Sequence, residues 1–215
     1  IGIVAGGFVF LGLLIQGWSQ TLPPPWRRWT LPGLLAGTAA ALAVAVSAVA
    51  PLRDRVSSIF SGRDDSSNNF RINVWSAVVE MIKARPVLGI GPGNDAFNQV
   101  YPFYQEPGYT ALSAYSVFLE ISVETGVIGL ICFLWLLLVA FSYGWRCLQQ
   151  LRAQGSPESV SGAFWLLAAM AAMVGMLAHG LVDTVWYRPQ VSVLWWLLLA
   201  LVASFDRSSL NQSLQ

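Results

Sequence analysis

Apolar residues in this chain come in long blocks rather than short alternating runs. Crossing a bilayer as a helix takes about 20 mainly apolar residues at a rise of about 1.5 Å each. Five blocks qualify: Ile1 to about Trp18, Leu31 to Ala50, about Gly126 to Trp145, Gly162 to Val182, and about Pro189 to Phe205. The third helix can start as early as Ala114. Glycines 2, 6, 7 and 12 in the first block suit close helix contacts within a bundle. Between the second and third blocks lies a mostly polar stretch, residues 51–125. There Ile72, Trp75, Val79 and Ile82 recur at helical spacing, as a single apolar stripe. They predict a helix from Phe70, capped by Asn68 or Asn69 and limited by Pro86 and Gly89, lying along the membrane surface or over the bundle mouth.

Composition agrees with the blocks. The chain is 55% apolar and 11% charged, with a mean hydropathy of +0.58, whereas a soluble domain carries roughly a quarter charged residues. This excludes an ordinary soluble domain and places the chain in the lipid bilayer. A net charge of +1 without a basic run gives no footing for nucleic acid. Cys132 and Cys147 lie in or beside one apolar block and read as buried thiols, not a disulfide framework. The chain starts at Ile1, inside an apolar run with no basic n-region or cleavage site. It therefore reads as the C-terminal portion of a longer protein, with earlier spans as its partners.

Basic residues set the sidedness. Arg27, Arg28, Arg146, Arg152 and Arg207 fall on one side if the spans alternate, and the short opposite loop holds only Arg188. By the positive-inside rule the first group is cytoplasmic, and residues 51–112 and 183–188 are outside, in a bacterial plasma membrane. Trp18, Trp29, Trp145, Trp186 and Tyr187 sit near span ends, as interface-seeking rings do. The expected fold class is all-α: a polytopic membrane helix bundle with one large extracytoplasmic loop. Residues 1–50 form two spans with a cytoplasmic linker and 51–125 the loop with its amphipathic helix. Residues 126–205 form three spans and 206–215 a cytoplasmic tail.

Candidate chemistry gathers in the polar stretch and at the outer span ends. Arg71 falls in the first turn of the predicted helix, an unfavourable place for a cation unless it meets an anion or solvent. Gly89-Ile90-Gly91-Pro92-Gly93-Asn94-Asp95 lacks the GK[ST] ending of a phosphate loop, and serves a tight turn or presents backbone amides to an anion. Tyr101, Phe103, Tyr104 and Tyr109, interleaved with Pro102, Pro107 and Gly108, suit a loop on the membrane surface or stacking against sugars. Glu120 and Glu124 share a helix face, and acids entering a membrane helix need water, a partner or the protein interior. His179 and Asp183 form an i,i+4 pair at the end of a stripe through Ala168, Ala172 and Gly175. There Asp183 either pairs structurally with His179 or orients it as a general base. A third metal ligand is missing from that pair, so no metal and no cofactor are expected.

Arg71-xxx-Trp75, then Arg85-Pro86-Val87-Leu88-Gly89-Ile90-Gly91-Pro92-Gly93, then Tyr115-Ser116 followed, after nine intervening residues, by Gly126-xx-Gly129 resembles the O-antigen ligase/polymerase superfamily. Over residues 51–205 the wording is most similar to the cyanobacterial IctB group, named for a proposed bicarbonate transporter. The resemblance implies an inverting, metal-independent glycosyltransferase that moves a glycan from a polyprenyl pyrophosphate to an acceptor hydroxyl. It implies that Arg71 engages the pyrophosphate, and that the base falls on Tyr115-Ser116, where the family has a His-Asn or similar pair. Tyr115 departs from that pattern, and a phenol with an ordinary pKa near 10 is a poor base at neutral pH. The candidate catalytic residues are thus Arg71, Tyr115, Glu124, His179 and Asp183. Arg71, Glu120, Tyr104, Tyr109 and Arg188 are candidates for substrate binding, with the charged members expected on one outward-facing cavity. The alternative is a bicarbonate transporter, or a transport-associated membrane protein without glycosyl transfer.

Overall fold

The computed structural model describes residues 66–184, 186 and 188–212, with side chains to 205, and isolated positions between residues 6 and 54. Outside the described residues lie most of the first two apolar blocks, the linker with Arg27 and Arg28, the hinge at 55–65, Tyr187 and the tail side chains with Arg207. Among the described residues every regular element is helical. Helix α1 is Ser66–Ala84 and α2 is Asn94–Val100, which runs into one 3-10 turn, Tyr101–Phe103. Helix α3 is Val117–Gln154, α4 is Pro157–His179 and α5 is Pro189–Gln212.

Helices α3 and α4 are long and apolar enough to cross a membrane, and Pro189–Phe205 of α5 is a shorter apolar helix. Their outer faces carry Ile131, Leu134, Trp135 and Leu138 on α3, Phe164 and Trp165 on α4, and Leu194, Trp196 and Leu197 on α5, all exposed. Soluble monomers rarely expose apolar surface so continuously; against lipid tails it is the expected outside. Their inner faces meet in a core of Leu148, Leu166, Leu167, Met170, Met173, Trp195 and Val202. Gly144 lets Met170 and Val202 close on the α3 backbone. Gly6 lies against the Ala171 carbonyl and Gly175 of α4, and Phe10 meets Phe164 edge-on at 5.4 Å. The close contact expected of the early glycines is thus made by Gly6, while Gly7 faces open space. Gly155, in the left-handed region at φ 66°, ends α3. Ser156 then caps α4 by accepting from the Ser159 amide at 3.1 Å, with Pro157 in the first helical turn.

Helix α3 is not continuous. Gly126, at φ 69° and ψ −168°, separates a short limb, 117–125, from a long limb, 127–154. The long limb alone spans about 42 Å at about 1.5 Å per residue, enough for a bilayer. The break frees backbone groups, and the segment after α1 takes them. The Ile90 amide donates to the Val123 carbonyl at 2.9 Å and the Gly91 amide to the Glu124 carbonyl at 3.0 Å, while the Val127 amide donates to the Pro86 carbonyl at 2.8 Å. The approach leaves no room for side chains at the crossing. A Cβ at Gly126 would strike the Val87 carbonyl, and one at Gly89, itself at φ 69°, would lie 2.5 Å from the Glu124 carbonyl. Gly129 leaves space for the Thr125 side chain across the break. The Ile90 and Gly91 amides are therefore committed to this clasp, and the glycine-rich turn serves chain crossing.

Residues 66–125 carry an apolar core of their own, made of Val74, Ala77, Val78, Met81, Phe97, Tyr101, Ala111, Ala114 and Val123. This corrects the sequence reading of α1 on three points. The helix already runs from Ser66, so Asn68 and Asn69 lie within it instead of capping it, and Arg71 stands beyond the first turn. The buried stripe is Asn73, Val74, Ala77, Val78 and Met81, not Ile72, Trp75, Val79 and Ile82. Apolar residues occupy both stripes, and the first is the one that packs. The second is left partly open, with Val79 exposed.

Gly126→Ala and Gly89→Ala should each destabilise the detergent-solubilised protein by more than about 2 kcal/mol. Each adds left-handed strain of about 1–2 kcal/mol to a backbone collision. Gly7→Ala, which meets no heavy atom within 4 Å, should stay within about 0.5 kcal/mol of the parent. Thermal unfolding, with protease cleavage between Arg85 and Gly93 as a second reading, measures both.

Candidate functional site

The N-terminal half of α1 is walled by tyrosines. Asn69 Nδ2 donates to the Tyr109 hydroxyl at 2.8 Å, and Asn73 Nδ2 to Asn69 Oδ1 at 3.3 Å. Phe70 meets Tyr115 edge-on at 5.4 Å and Tyr109 at 6.2 Å. The buried Tyr101 hydroxyl donates to the Tyr109 carbonyl at 2.7 Å, and its ring stacks on Phe97 at 5.1 Å. Burial pushes the Tyr101 phenol above its ordinary 10.0, and the neighbouring Tyr115 adds to the shift. Tyr109 thus holds the 104–114 loop onto α1. Tyr104 and Phe103 point outward, the latter 85% exposed.

Tyr115 adopts φ 50°, the one non-glycine residue in the left-handed region among those described. The surrounding structure holds it there. Phe70 braces its ring, the Ser113 hydroxyl accepts from its amide at 3.4 Å, and the Ala114 amide donates to the Glu120 carboxylate at 2.5 Å. Glu120 is buried, 5% exposed, because it turns back to close this corner. Glu124, one turn further, is half-buried, with its carbonyl in the Gly91 clasp.

Arg71 is half-buried, and its NH1 group donates to Ser67 Oγ at 2.9 Å. Its Nε–H is buried without an acceptor. The same is true of the indole N–H of Trp75, one turn along α1. Two N–H donors four residues apart lie on one side of a helix.

At the other end of the site, α4 stops at His179 with Gly180 as its C-cap. The pair expected along one helix is realised differently: Asp183 lies past the helix end in the following turn. Its Oδ2 approaches His179 Nε2 to 3.7 Å, an ionic contact longer than a hydrogen bond. Of the stripe leading to it, Gly175 is buried but Ala172 is exposed. The Gly180 carbonyl accepts from the Val117 amide at 2.7 Å, and Val117 packs where a Gly180 Cβ would stand. This docks the His179 corner on the first residue of α3, two residues from Tyr115. Arg188 is exposed, and its carbonyl accepts from the Val191 and Ser192 amides at the start of α5.

The structure therefore joins Tyr109, Tyr115 and Glu120 with Arg71's end of α1, and sets Gly180, the residue after His179, against Val117. Among the described residues no hydrogen bond or ion pair links Arg71 with His179 or Asp183. No three His, Cys, Asp or Glu side chains converge as a metal set among those residues. Asn69, Phe70 and Trp75 are not among the candidate site residues read from the sequence, and Tyr101, expected on the surface or against sugars, is instead buried in the core of the segment. Trp75 had a signal in the sequence, its spacing from Arg71, while Asn69 resembled a cap.

Tyr101→Phe should lower stability by about 0.5–1.5 kcal/mol, the net worth of one hydrogen bond. The folded phenol ionises later than the unfolded one. Its contribution is therefore full below pH 10.0 and falls as pH rises above it. The variant should show a shallower loss of thermal stability above pH 10.0 than the parent.

A search of curated proteins finds no match. The family model described as O-Antigen ligase matches residues 1–134. That span takes in α1 with Arg71 and Trp75, the tyrosine wall, the clasp and the break at Gly126, and stops short of His179, Asp183 and Arg188. With well over half its length matched, in a protein with helices fit to cross a membrane, the chain belongs to the O-antigen ligase family.

Proposed function

We propose that this chain transfers a glycan from a polyprenyl pyrophosphate to an acceptor hydroxyl at the outer face of the bacterial plasma membrane. The observation that carries this reading is the pair of unused donors, Arg71 Nε–H and Trp75 Nε1–H, one turn apart on α1. A guanidinium is permanently charged and forked, which suits a pyrophosphate better than a lysine ammonium does. Negative charge grows on the leaving pyrophosphate as the glycosidic bond breaks. Donors aimed there stabilise the transition state more than the bound donor, the electrostatic form of catalysis. The partly open stripe of Ile72, Trp75 and Val79 lies on the same helix, as a lipid-borne substrate requires. Exposed Phe103 and Tyr104 offer ring faces to sugars.

The membrane side follows from the arginine distribution, with residues 51–112 outside. Bicarbonate transport draws support from any interrupted helix, because such breaks can coordinate ions. Here the carbonyls of Val123 and Glu124 at the break already accept amides of the clasp, which favours glycan transfer.

With a synthetic polyprenyl-pyrophosphate oligosaccharide as donor, the reconstituted protein should release polyprenyl pyrophosphate. Arg71→Ala should reduce release about 10²–10³-fold, the loss typical of one transition-state donor, and Arg71→Lys should retain part of it. Trp75→Phe keeps the ring and removes the N–H, and should weaken donor use by a smaller factor. Donor binding by Arg71→Ala equal to that of the parent would refute the assignment, and bicarbonate flux in liposomes without release would favour the transporter. A cysteine placed at Ser66 should react with a membrane-impermeant thiol reagent from outside the cell; reaction only from the cytoplasmic side would reverse the topology.

A further inference from the structure

We propose that the turn Arg85-Pro86-Val87-Leu88 is a membrane wedge, with Val87 and Leu88 set among lipids at the end of α3's long limb and Arg85 at their phosphates. The inference rests on the membrane character of α3 and is independent of the glycan-transfer reading. Leu88 is 74% exposed and Val87 54% exposed, at the tip of a turn closed by the Gly89 amide on the Arg85 carbonyl at 3.1 Å. Two exposed aliphatic side chains would mean little by themselves; their place in the fold supplies the partner. The Val127 amide, first of the long limb, donates to the Pro86 carbonyl at 2.8 Å, and the Val87 carbonyl lies against Gly126 with no room for a Cβ. From Val127 onward α3 turns one apolar stripe outward, with Val127, Ile131, Leu134 and Leu138 all exposed at helical spacing. The wedge is therefore bonded to the very start of the face that suits lipid tails, and adds its two side chains there.

The length of the limb sets the depth. Arg146 is the first charged residue after Glu124, and exposed Trp145 stands beside it, a pairing that belongs at a membrane–water border. From Trp145 back to Val127 is about 27 Å at about 1.5 Å per residue, close to the roughly 30 Å of a hydrocarbon core. With Trp145 at one border, Val127 reaches the other, and the wedge lies where acyl chains give way to headgroups. The turn is suited to that border. Val87 and Leu88 carry no polar side-chain atom, and Pro86 has no amide to leave unpaired. Arg85 and Lys83 are exposed, and such long side chains reach phosphates while their stems stay on apolar surface. Lys83 also pairs with Glu80 at 2.8 Å. Helix α1 ends at Ala84, two residues before Pro86, so the wedge ties its C-terminal end to the bilayer. The bonds to α3 keep it from withdrawing.

The test uses the full chain in vesicles of phosphatidylethanolamine and phosphatidylglycerol. A nitroxide is attached at Leu88→Cys in a Cys132→Ala background, where the remaining Cys147 is buried. Ile131→Cys serves as the lipid reference, and Asn98→Cys, exposed on α2, as the water reference. Collisions with oxygen, which concentrates among acyl chains, are compared with collisions with a water-soluble nickel chelate. The oxygen-to-nickel ratio at Leu88 should exceed that at Asn98 several-fold and approach that at Ile131. Val87→Cys, the second site if the Leu88 variant fails to fold, should behave alike. Adding Arg85→Gln should lower the ratio at Leu88 and leave Ile131 unchanged; no change at Leu88 overturns the phosphate role of Arg85. A ratio at Leu88 equal to that at Asn98 puts the turn in water. An immobilised nitroxide shielded from both reagents puts a second copy or another segment over it. Either result overturns the wedge, whereas a water-like ratio at Ile131 itself would fault the membrane reading of α3 instead.

Discussion

The polar segment of this protein hangs on a backbone crossing. At Gly126 helix α3, long and apolar enough to cross a membrane, interrupts itself, and the chain around Gly89 passes close enough to bond with both sides of the interruption. A broken helix persists where the freed amides and carbonyls find partners. Here the partners come from a segment some 35 residues earlier, so helix and loop hold each other. The crossing tolerates two glycines and nothing larger, because each Cβ would enter the other strand's peptide group.

That crossing fixes one end of the short limb of α3, and the Gly180 carbonyl on the Val117 amide fixes the other. A limb tied at both ends gives the corner before it a rigid support. The corner can then hold Tyr115 at φ 50°, a conformation a free chain avoids. Glu120 turned onto the Ala114 amide and Phe70 against the tyrosine ring complete the support. The segment from 66 to 125 is consequently a small packed unit with its own core, over which the candidate groups are spread.

Membrane and site chemistry meet on α1. Its buried stripe anchors the unit, and its other apolar stripe stays partly open with Arg71 and Trp75 upon it. An isolated charge near lipid needs water or a counterion. A lipid that carries its own phosphates provides one, together with a tail for the apolar stripe. The same geometry leaves two buried donors beside a partly open apolar stripe, which is what the proposed substrate would need.

The helical class and the apolar stretches of the last helices were legible in the sequence, because hydropathy over long runs depends on composition and not on partners. The Arg71-xxx-Trp75 and Gly126-xx-Gly129 spacings pointed to the family for a related reason: each is a short spacing along the chain. What the tertiary structure alone decided was how those elements meet. The buried face of α1 went to Val74, Ala77, Val78 and Met81, which meet Phe97, Tyr101, Ala114 and Val123, although both stripes were apolar enough to serve. The use of Gly89 required knowing that Gly126 crosses it, since a glycine in a turn reads the same whether it bends the chain or makes room for another. The docking of Gly180 on Val117 likewise depends on one long-range backbone hydrogen bond, which no local pattern of side chains encodes.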